Sequence, residues 1–466
     1  MFFRSYFDSK LAQFSYVVGC QRTGEAIVID PARDVDIYFE IAKSEGLRLT
    51  AATETHIHAD FVSGARELGG RGVKLYLSDE GDADWKYGYA KDLDVTFVKD
   101  GDKFSVGNIR FDVLHTPGHT PEHISFVLTD EGGGSSVPMG IFTGDFVFVG
   151  DIGRPDLLEK AAGIKGTSDS GARQLFKSLD KFRALPDYLQ VWPGHGAGSA
   201  CGKSLGAVPM TTVGYEKLNN WALKIESEEE FVDTLLSGQP EPPRYFAVMK
   251  RVNKVGPDFV EGAIERLESK EEFEKVREGK VLLDVRPARD YQANYVDGAI
   301  NIPFNKSFPN WAGWLLPYDQ DILLIADEEQ TDAVLRAMRS VGLDRVEHVI
   351  EPAFLLSFSE HSSYPVVEAA ELNEMLGSTD LFLIDVRNQN EWENGHIEGA
   401  NHIMLGTLES RLDEVPRDKR IVMQCQSGAR SAIATSLLKR AGFEHVYNLN
   451  GGYNAWKKAD MPSVQT

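Results

Sequence analysis

At 466 residues the chain is too long for a single core of ordinary size, which sets an expectation of about three domains. Its net charge of −22 excludes a general affinity for nucleic acid or for an anionic membrane, both of which need a basic surface, and leaves room only for local basic pockets that take an anionic substrate. Three cysteines, Cys20, Cys201 and Cys425, stand far apart in no Cys-x-x-Cys pair, which excludes a disulfide framework and a thiolate zinc site and fits a reducing cytoplasm.

The first residues, Met1 to Asp8, lack a basic segment followed by an apolar core, and no run of 18 apolar residues occurs. A cytoplasmic protein that does not span a membrane is expected. From Phe14 to Asp30 two strands are joined by a turn at Arg22-Thr23-Gly24, and Cys20 in this hairpin reads as a small buried hydrophobe. Residues 35–45 carry a helical pattern through Ile37, Phe39, Ile41 and Ala42.

The next strand, Leu49 to Thr53, runs into Thr55-His56-Ile57-His58-Ala59-Asp60-Phe61. Two imidazoles and a carboxylate within five positions offer the nitrogen and oxygen donors of a first-row metal site. A short helix is expected over residues 62–68 and two strands over 104–114. Three further segments follow: His115-Thr116-Pro117-Gly118-His119, Ile141-Phe142-Thr143-Gly144-Asp145 and Val191-Trp192-Pro193-Gly194-His195. In the first, Pro-Gly forces a turn that presents His119; the other two end strands on a carboxylate and an imidazole.

Four such motifs in series resemble the metallo-β-lactamase superfamily, whose His-x-His-x-Asp-His signature stands here with Phe61 in place of the last His. The resemblance covers about the first 240 residues and implies an αββα sandwich. Gln239-Pro240-Glu241-Pro242-Pro243-Arg244 reads as a linker, although residues 245–255 could still pack on the first domain.

Beyond the linker lies a repeat. Val281 to Arg286 with Tyr295 to Ala299 matches Phe382 to Arg387 with His396 to Ala400, 101 residues further on. Both copies resemble rhodanese domains, so the fold class expected is α/β: the sandwich followed by two rhodanese-like domains. The boundaries expected are 1–245 for the metal domain, 258–360 for the first copy and 365–466 for the second. In the second copy, Cys425 follows a strand and heads Gln426-Ser427-Gly428-Ala429-Arg430-Ser431 at the start of a helical pattern. Backbone N–H groups of such a loop favour a thiolate and cradle an anionic sulfur. The first copy has Ala326-Asp327-Glu328-Glu329 there and no Cys, and it lacks the Gly451-Gly452-x-x-Ala455-Trp456 close; it is expected to be inactive.

The loss of the second-metal His together with rhodanese domains resembles the persulfide dioxygenase group of sulfide detoxification. That resemblance implies one Fe(II) per chain on His56, His119 and Asp145, with His58, Asp60 and His195 as supporting groups. It implies the oxidation by O2 of a small thiol persulfide, of glutathione or coenzyme A, to sulfite and thiol, with Cys425 and Arg430 transferring sulfur to sulfite to give thiosulfate. Gln426, Ser427, Gly428, Ala429 and Ser431 would bind the transferred sulfur. Arg154 reads either as a contact to an anionic substrate or as a surface arginine. Cys201, in the glycine-rich loop Gly196 to Ser204, reads as an exposed thiol that relays sulfur, with Lys203 favouring its thiolate. That loop is one residue short of a P-loop.

Two other readings stand beside this one: a two-zinc thioester hydrolase of the glyoxalase II type, which Phe61 opposes, and rhodanese copies that only recruit sulfur carriers. A homo-oligomer, dimer or tetramer, is expected, with Trp311-Ala312-Gly313-Trp314 and Tyr215 to Trp221 as interface or core.

Overall fold

The computed structural model of the chain describes residues 1–157, 159, 166–260, 262 and 264–465. It forms two compact units, Met1–Glu261 with Met338–Gly342, and Gly262–Ala337 with Leu343–Thr466. Among the described residues no helix is long and apolar enough to cross a membrane.

In the first unit one six-stranded sheet runs in sequence order through β1 (Phe2–Asp8), β2 (Gln13–Cys20), β3 (Glu25–Ile29), β4 (Arg48–Thr53), β5 (Lys74–Ser78) and β6 (Val95–Val98). The other joins β7 (Lys103–Val106), β8 (Ile109–His115), β9 (Ile124–Asp130), β10 (Gly140–Gly144), β11 (Gln190–Pro193) and β12 (Thr211–Thr212).

Period-two alternation builds the layers. Val17, Ala26, Val28 and Ala52 face the helix Asp36–Ser44 through Tyr38, Ile41 and Ala42. Their neighbours Tyr16, Val18, Ile27, Ile29 and Ala51 face the second sheet, meeting Phe111, Val113, Phe126, Phe142 and Trp192. The outer face of that second sheet, Val127, Ile141 and Val191, packs on Ala172, Leu175, Leu179 and Phe182 of the helix Thr167–Arg183. Strands covered on both faces explain why β2 is buried along its whole length.

The expected hairpin, the helix near residues 35–45 and the strand pair around 104–114 are present. The short helix lies three residues later than expected at its start, over Ala65–Gly70, and β1, which pairs antiparallel with β2, carries no turn or alternation signal that marked it in the sequence. Residues Tyr245–Val255 form a helix of the first unit.

The second unit holds two parallel five-stranded sheets of the same order. One is β13 (Glu265–Arg266), β17 (Val346–Ile350), β16 (Ile322–Ile325), β14 (Val281–Asp284) and β15 (Ala299–Asn301). The other is β18 (Val366–Val367), β23 (Val446–Leu449), β22 (Arg420–Gln424), β19 (Leu381–Asp385) and β21 (Asn401–His402). In both, the Asp that ends the strand next to the last in that order grips the Arg two residues on through two oxygens: Asp284 with Arg286, Asp385 with Arg387. Each Arg also donates to a carbonyl at the matching position, Asn294 or Gly395, at 2.8 Å. The Asp-Val-Arg motif therefore builds the frame of both copies. Trp311 and Trp314 are core residues of the helix Phe308–Leu315.

Phe142, buried between Trp192, Tyr16, Phe3 and Phe111, ties the two sheets of the first unit together. Phe142→Ala is expected to lower the unfolding free energy of that unit by about 3–5 kcal/mol in urea titration, the usual cost of an aromatic-to-alanine cavity; a loss below about 1 kcal/mol would show that this aromatic seam does not hold the sheets.

Candidate metal centre and cysteine loop

The ends of β4, β8, β10 and β11 deliver their loops to one edge of the sandwich. β8 and β10 both run antiparallel to β9, β11 runs parallel to β10, and Ile124 N–H donates to Thr55 O at 2.8 Å across the two sheets. Gly144 has φ +49°, and a Cβ there would lie 2.3 Å from Thr55 Oγ1, so only glycine lets β10 end against the first motif.

This edge brings together His56, His119 and Asp145, all buried, with one donor atom from each within 4.8 Å of the others. Asp145 Oδ2 lies 3.5 Å from His119 Nε2 and 3.9 Å from His56 Nε2. Both Asp145 Oδ2 and His56 Nε2 are buried without a hydrogen-bond partner. The other edge of each ligand is held. Thr55 Oγ1 donates to Asp30 Oδ2 at 3.0 Å, so His56 Nδ1–H donates to Thr55 Oγ1 at 2.9 Å and its Nε2 lone pair is free. His119 Nδ1–H donates to the Arg154 carbonyl at 2.9 Å, which frees Nε2 in the same way. Burial, then the charge of His58, pushes His56 well below the usual imidazole range, and burial lowers His119 as well. Neutral imidazoles with aimed, unpaired lone pairs beside a carboxylate fit a divalent metal ion.

The groups expected to support the centre sit around it. His195 donates through Nδ1 to Asp145 Oδ1 at 2.8 Å and through Nε2 to Asp60 Oδ2 at 2.6 Å. Burial opposes its charge, yet the Asp145 and Asp60 carboxylates push it well above the usual imidazole range. His58 donates to Asp30 Oδ1 at 3.1 Å, and Asp30 lifts it to about 9 against the opposing effect of burial. Phe61 packs on the His58 ring at 4.4 Å and is buried. Asp60, His195 and Cys201 form a second group of buried donors within 4.8 Å, but both nitrogens of His195 already bond carboxylates.

Three placements differ from expectation. Cys201 is 2% exposed, not a surface thiol, because the loop folds it against the centre; burial, then Asp60 and Asp145, pushes the thiol well above its usual range. Lys203 turns away, its Nζ donating to Ser237 O at 2.5 Å, so it does not favour a Cys201 thiolate. Arg154 is not on the surface: it is 0% exposed, grips Asp156 at 2.6 and 2.7 Å and donates to Pro240 O, and offers the centre its carbonyl.

Three residues not singled out in the sequence also matter here. Asp30, at the end of β3, accepts from Thr55 N–H at 2.7 Å as well as from His58; its signal was the Ile29-Asp30-Pro31 strand end. His123 Nε2 accepts from Asp145 N–H at 3.1 Å, and it stands four residues after His119. Asn253, in the helix Tyr245–Val255, donates to His58 O and Phe61 O at 2.7 Å and accepts from Ser63 N–H at 2.9 Å. No sequence pattern announces Asn253, because its partners are backbone groups far away in the chain.

In the second unit Cys425 directly follows β22 and is buried, with Gly428 N–H donating to Sγ at 3.2 Å and Ser431 Oγ at 3.4 Å. Gly452 has φ +57°, and a Cβ there would lie 2.2 Å from Cys425 O, so the Gly-Gly close packs directly beneath the loop. Tyr453 N–H and Asn454 N–H then donate to the carbonyls of Cys425 and Gln426 at 2.7 and 2.9 Å. Arg430, at the head of the helix Ala429–Arg440, pairs with both oxygens of Glu391 at 2.6 and 2.7 Å, and the Gln426 side chain meets Arg387 at 3.1 Å.

Asn253→Ala leaves two carbonyls and one N–H of the metal loop without partners, at about 1–3 kcal/mol each. Its expected effect is a lower melting temperature together with about ten-fold faster loss of bound metal to a chelator; wild-type retention of metal would show that the loop is set without Asn253.

The sequence model described as the metallo-beta-lactamase superfamily matches residues 9–195, and that described as the rhodanese-like domain matches residues 269–351 and 368–459. A crystal structure described as a metallo-beta-lactamase from Staphylococcus aureus is 45% identical, with 76% of this chain and 99% of that one covered and a TM-score of 0.67. The human mitochondrial persulfide dioxygenase ETHE1 is 30% identical over 203 residues, 41% of this chain and 67% of its own length. A sulfurtransferase of Allochromatium vinosum is 34% identical over 99 residues, 21% of this chain and 92% of its own. The chain thus belongs to the metallo-beta-lactamase superfamily, as a homologue of the ETHE1 persulfide dioxygenases that carries two rhodanese-like domains.

Proposed function

We propose that the protein oxidises a low-molecular-weight persulfide with O2 to sulfite and thiol, and that its second rhodanese copy uses sulfite as a sulfur acceptor to give thiosulfate. The observation that carries this reading is the pair of unpartnered buried atoms, His56 Nε2 and Asp145 Oδ2, converging with His119 where Phe61 and the doubly bonded His195 leave no comparable donor set for a second ion. His56, His119 and Asp145 would hold a single Fe(II), the two-His-one-carboxylate face of non-haem iron oxygenases with open positions. Held there, iron supplies the one-electron chemistry that lets O2 react with a closed-shell persulfide.

The chain's own residues then have definite tasks. His195, clamped between two carboxylates, fixes the orientation of Asp145; Thr55 and the Arg154 carbonyl fix the two imidazoles. Phe61 gives the site an apolar wall that keeps water back. Cys201, held protonated by burial, belongs to the wall of the sulfur subsite rather than serving as a nucleophile. The reaction balances as RSSH + O2 + H2O → RSH + sulfite + 2 H⁺.

At the second copy, Cys425 thiolate takes the outer sulfur of a persulfide and releases the thiol; sulfite then attacks that sulfur, forming thiosulfate and returning Cys425 thiolate. Gly428 N–H and Ser431 Oγ are placed to stabilise the anionic sulfur, the role loop N–H groups fill in an anion cradle. The first copy, with Asp327 and Glu328 in the matching loop, offers no nucleophile and would repel sulfite.

Cys425→Ser is expected to leave persulfide-dependent O2 uptake within about two-fold of wild type while the sulfur product shifts from thiosulfate to sulfite, read by ion chromatography. An unchanged thiosulfate-to-sulfite ratio would sink the coupling of the two activities.

A further inference from the structure

Phe61, which stands where the superfamily signature has its last His, is buried, and so are Val62 and Ser63 after it. Val62 lies in no helix or strand, so the peptide groups beside it need partners from elsewhere in the fold. They have them on both sides. The Phe61 carbonyl accepts from Asn253 Nδ2 at 2.7 Å, and the Val62 N–H donates to Ser340 O at 2.8 Å. These two groups belong to one peptide bond. A planar peptide held at its oxygen and at its hydrogen cannot turn, and its orientation sets where the Phe61 ring lies, its centre 4.4 Å from that of the His58 ring.

The acceptor on the N–H side comes from far along the chain. Ser340 belongs to Met338–Gly342, the five residues beyond Glu261 that complete the first unit. Packing places them against the same loop. Gly342 has φ +74°, and a Cβ there would lie 2.6 Å from Met249 Cε and 3.4 Å from Val62 Cγ2. A left-handed turn that glycine takes without strain therefore seats the segment against Val62 and against the helix Tyr245–Val255, which carries Met249. Val62, Met249 and, on the segment, Met338 and Val341 are all buried. Next along the loop, Ser63 N–H donates to Asn253 Oδ1 at 2.9 Å. Neither Asn253 nor Ser340 lies within residues 9–195, the part matched by the superfamily, so the limb of the metal loop after Asp60 is held from outside the shared domain.

We infer that Ser340 and Gly342 are positioning residues of the metal centre: Ser340 braces the Phe61–Val62 peptide through its carbonyl, and Gly342 lets Met338–Gly342 come close enough to do so. The Phe61 ring is thereby kept against His58. The inference rests on the metal-centre reading for its effect on a bound ion, whereas the brace itself exists with or without the ion.

The test is hydrogen exchange resolved to the Val62 amide in the full chain without metal, followed by release of bound Fe(II) to a chelator, for wild type, Gly342→Val and Gly342→Asn. The Val62 amide is expected to be protected in wild type and to exchange about ten-fold faster in Gly342→Val, whose branched side chain does not tolerate a positive φ. Amides of the core strand β2 are expected to keep their wild-type rates, which separates a local brace from general loosening. The same variant is expected to lose metal about ten-fold faster, and Gly342→Asn, which tolerates the left-handed turn, to stay close to wild type in both measurements. A wild-type Val62 amide that exchanges as fast as an exposed loop amide would overturn the inference even if Gly342→Val does not fold, and so would wild-type metal release in a folded Gly342→Val. A protected Val62 amide that Gly342→Val frees, in a chain that takes up no divalent metal, would leave the brace standing and contradict the metal-centre reading instead.

Discussion

Asp145 is a carboxylate wholly removed from water where four strand ends meet, and the first unit is arranged to make that burial tolerable. Its Oδ1 accepts from His195, its own N–H donates to His123, and its Oδ2 faces His56 and His119. Burial alone would raise its pKa, yet the charge of His195 and its hydrogen bond hold it well below the usual carboxylate range. A buried charge costs several kcal/mol unless it is matched, so His195 is a structural necessity of Asp145, while the neutral His56 and His119 keep their lone pairs open beside Oδ2. One oxygen is satisfied by protein and one is left to a ligand. That division separates the clamp, His195 and Asp60, from the open face, His56, His119 and Asp145.

The second unit shows how one frame supports two outcomes. Both copies keep the same sheet order and the same Asp–Arg grip at the end of β14 or β19, which hold the backbone without touching a reacting atom. What separates them is one loop and the floor beneath it. In the second copy Gly452 lets the Gly-Gly turn approach the backbone of Cys425, and two N–H groups from that turn lock the loop carbonyls so that Gly428 N–H points at sulfur. The first copy has neither the cysteine nor the glycine floor.

Much of this was legible in the sequence because it is written in local spacing. The alternation of Tyr16 to Val18 and Ala26 to Ile29, the Pro-Gly before His119, the Gly before Asp145 and the repeat of Asp-Val-Arg are short-range patterns with a physical cause, and they led to the sandwich, the metal triad and the two rhodanese copies. What stayed hidden depends on distant backbone. Asn253 meets carbonyls nearly two hundred positions away. Cys201 and Arg154 were misplaced for the same reason: glycine neighbours suggest exposure, and an arginine suggests an anion, but the fold buries both against groups the local sequence does not name.

The most direct measurement is the metal content of anaerobically purified protein, taken together with O2 consumption on addition of glutathione persulfide or coenzyme A persulfide. About one iron per chain with persulfide-dependent O2 uptake is the result that follows from the face of His56, His119 and Asp145. Two zinc ions per chain, no O2 uptake and cleavage of a glutathione thioester would contradict it.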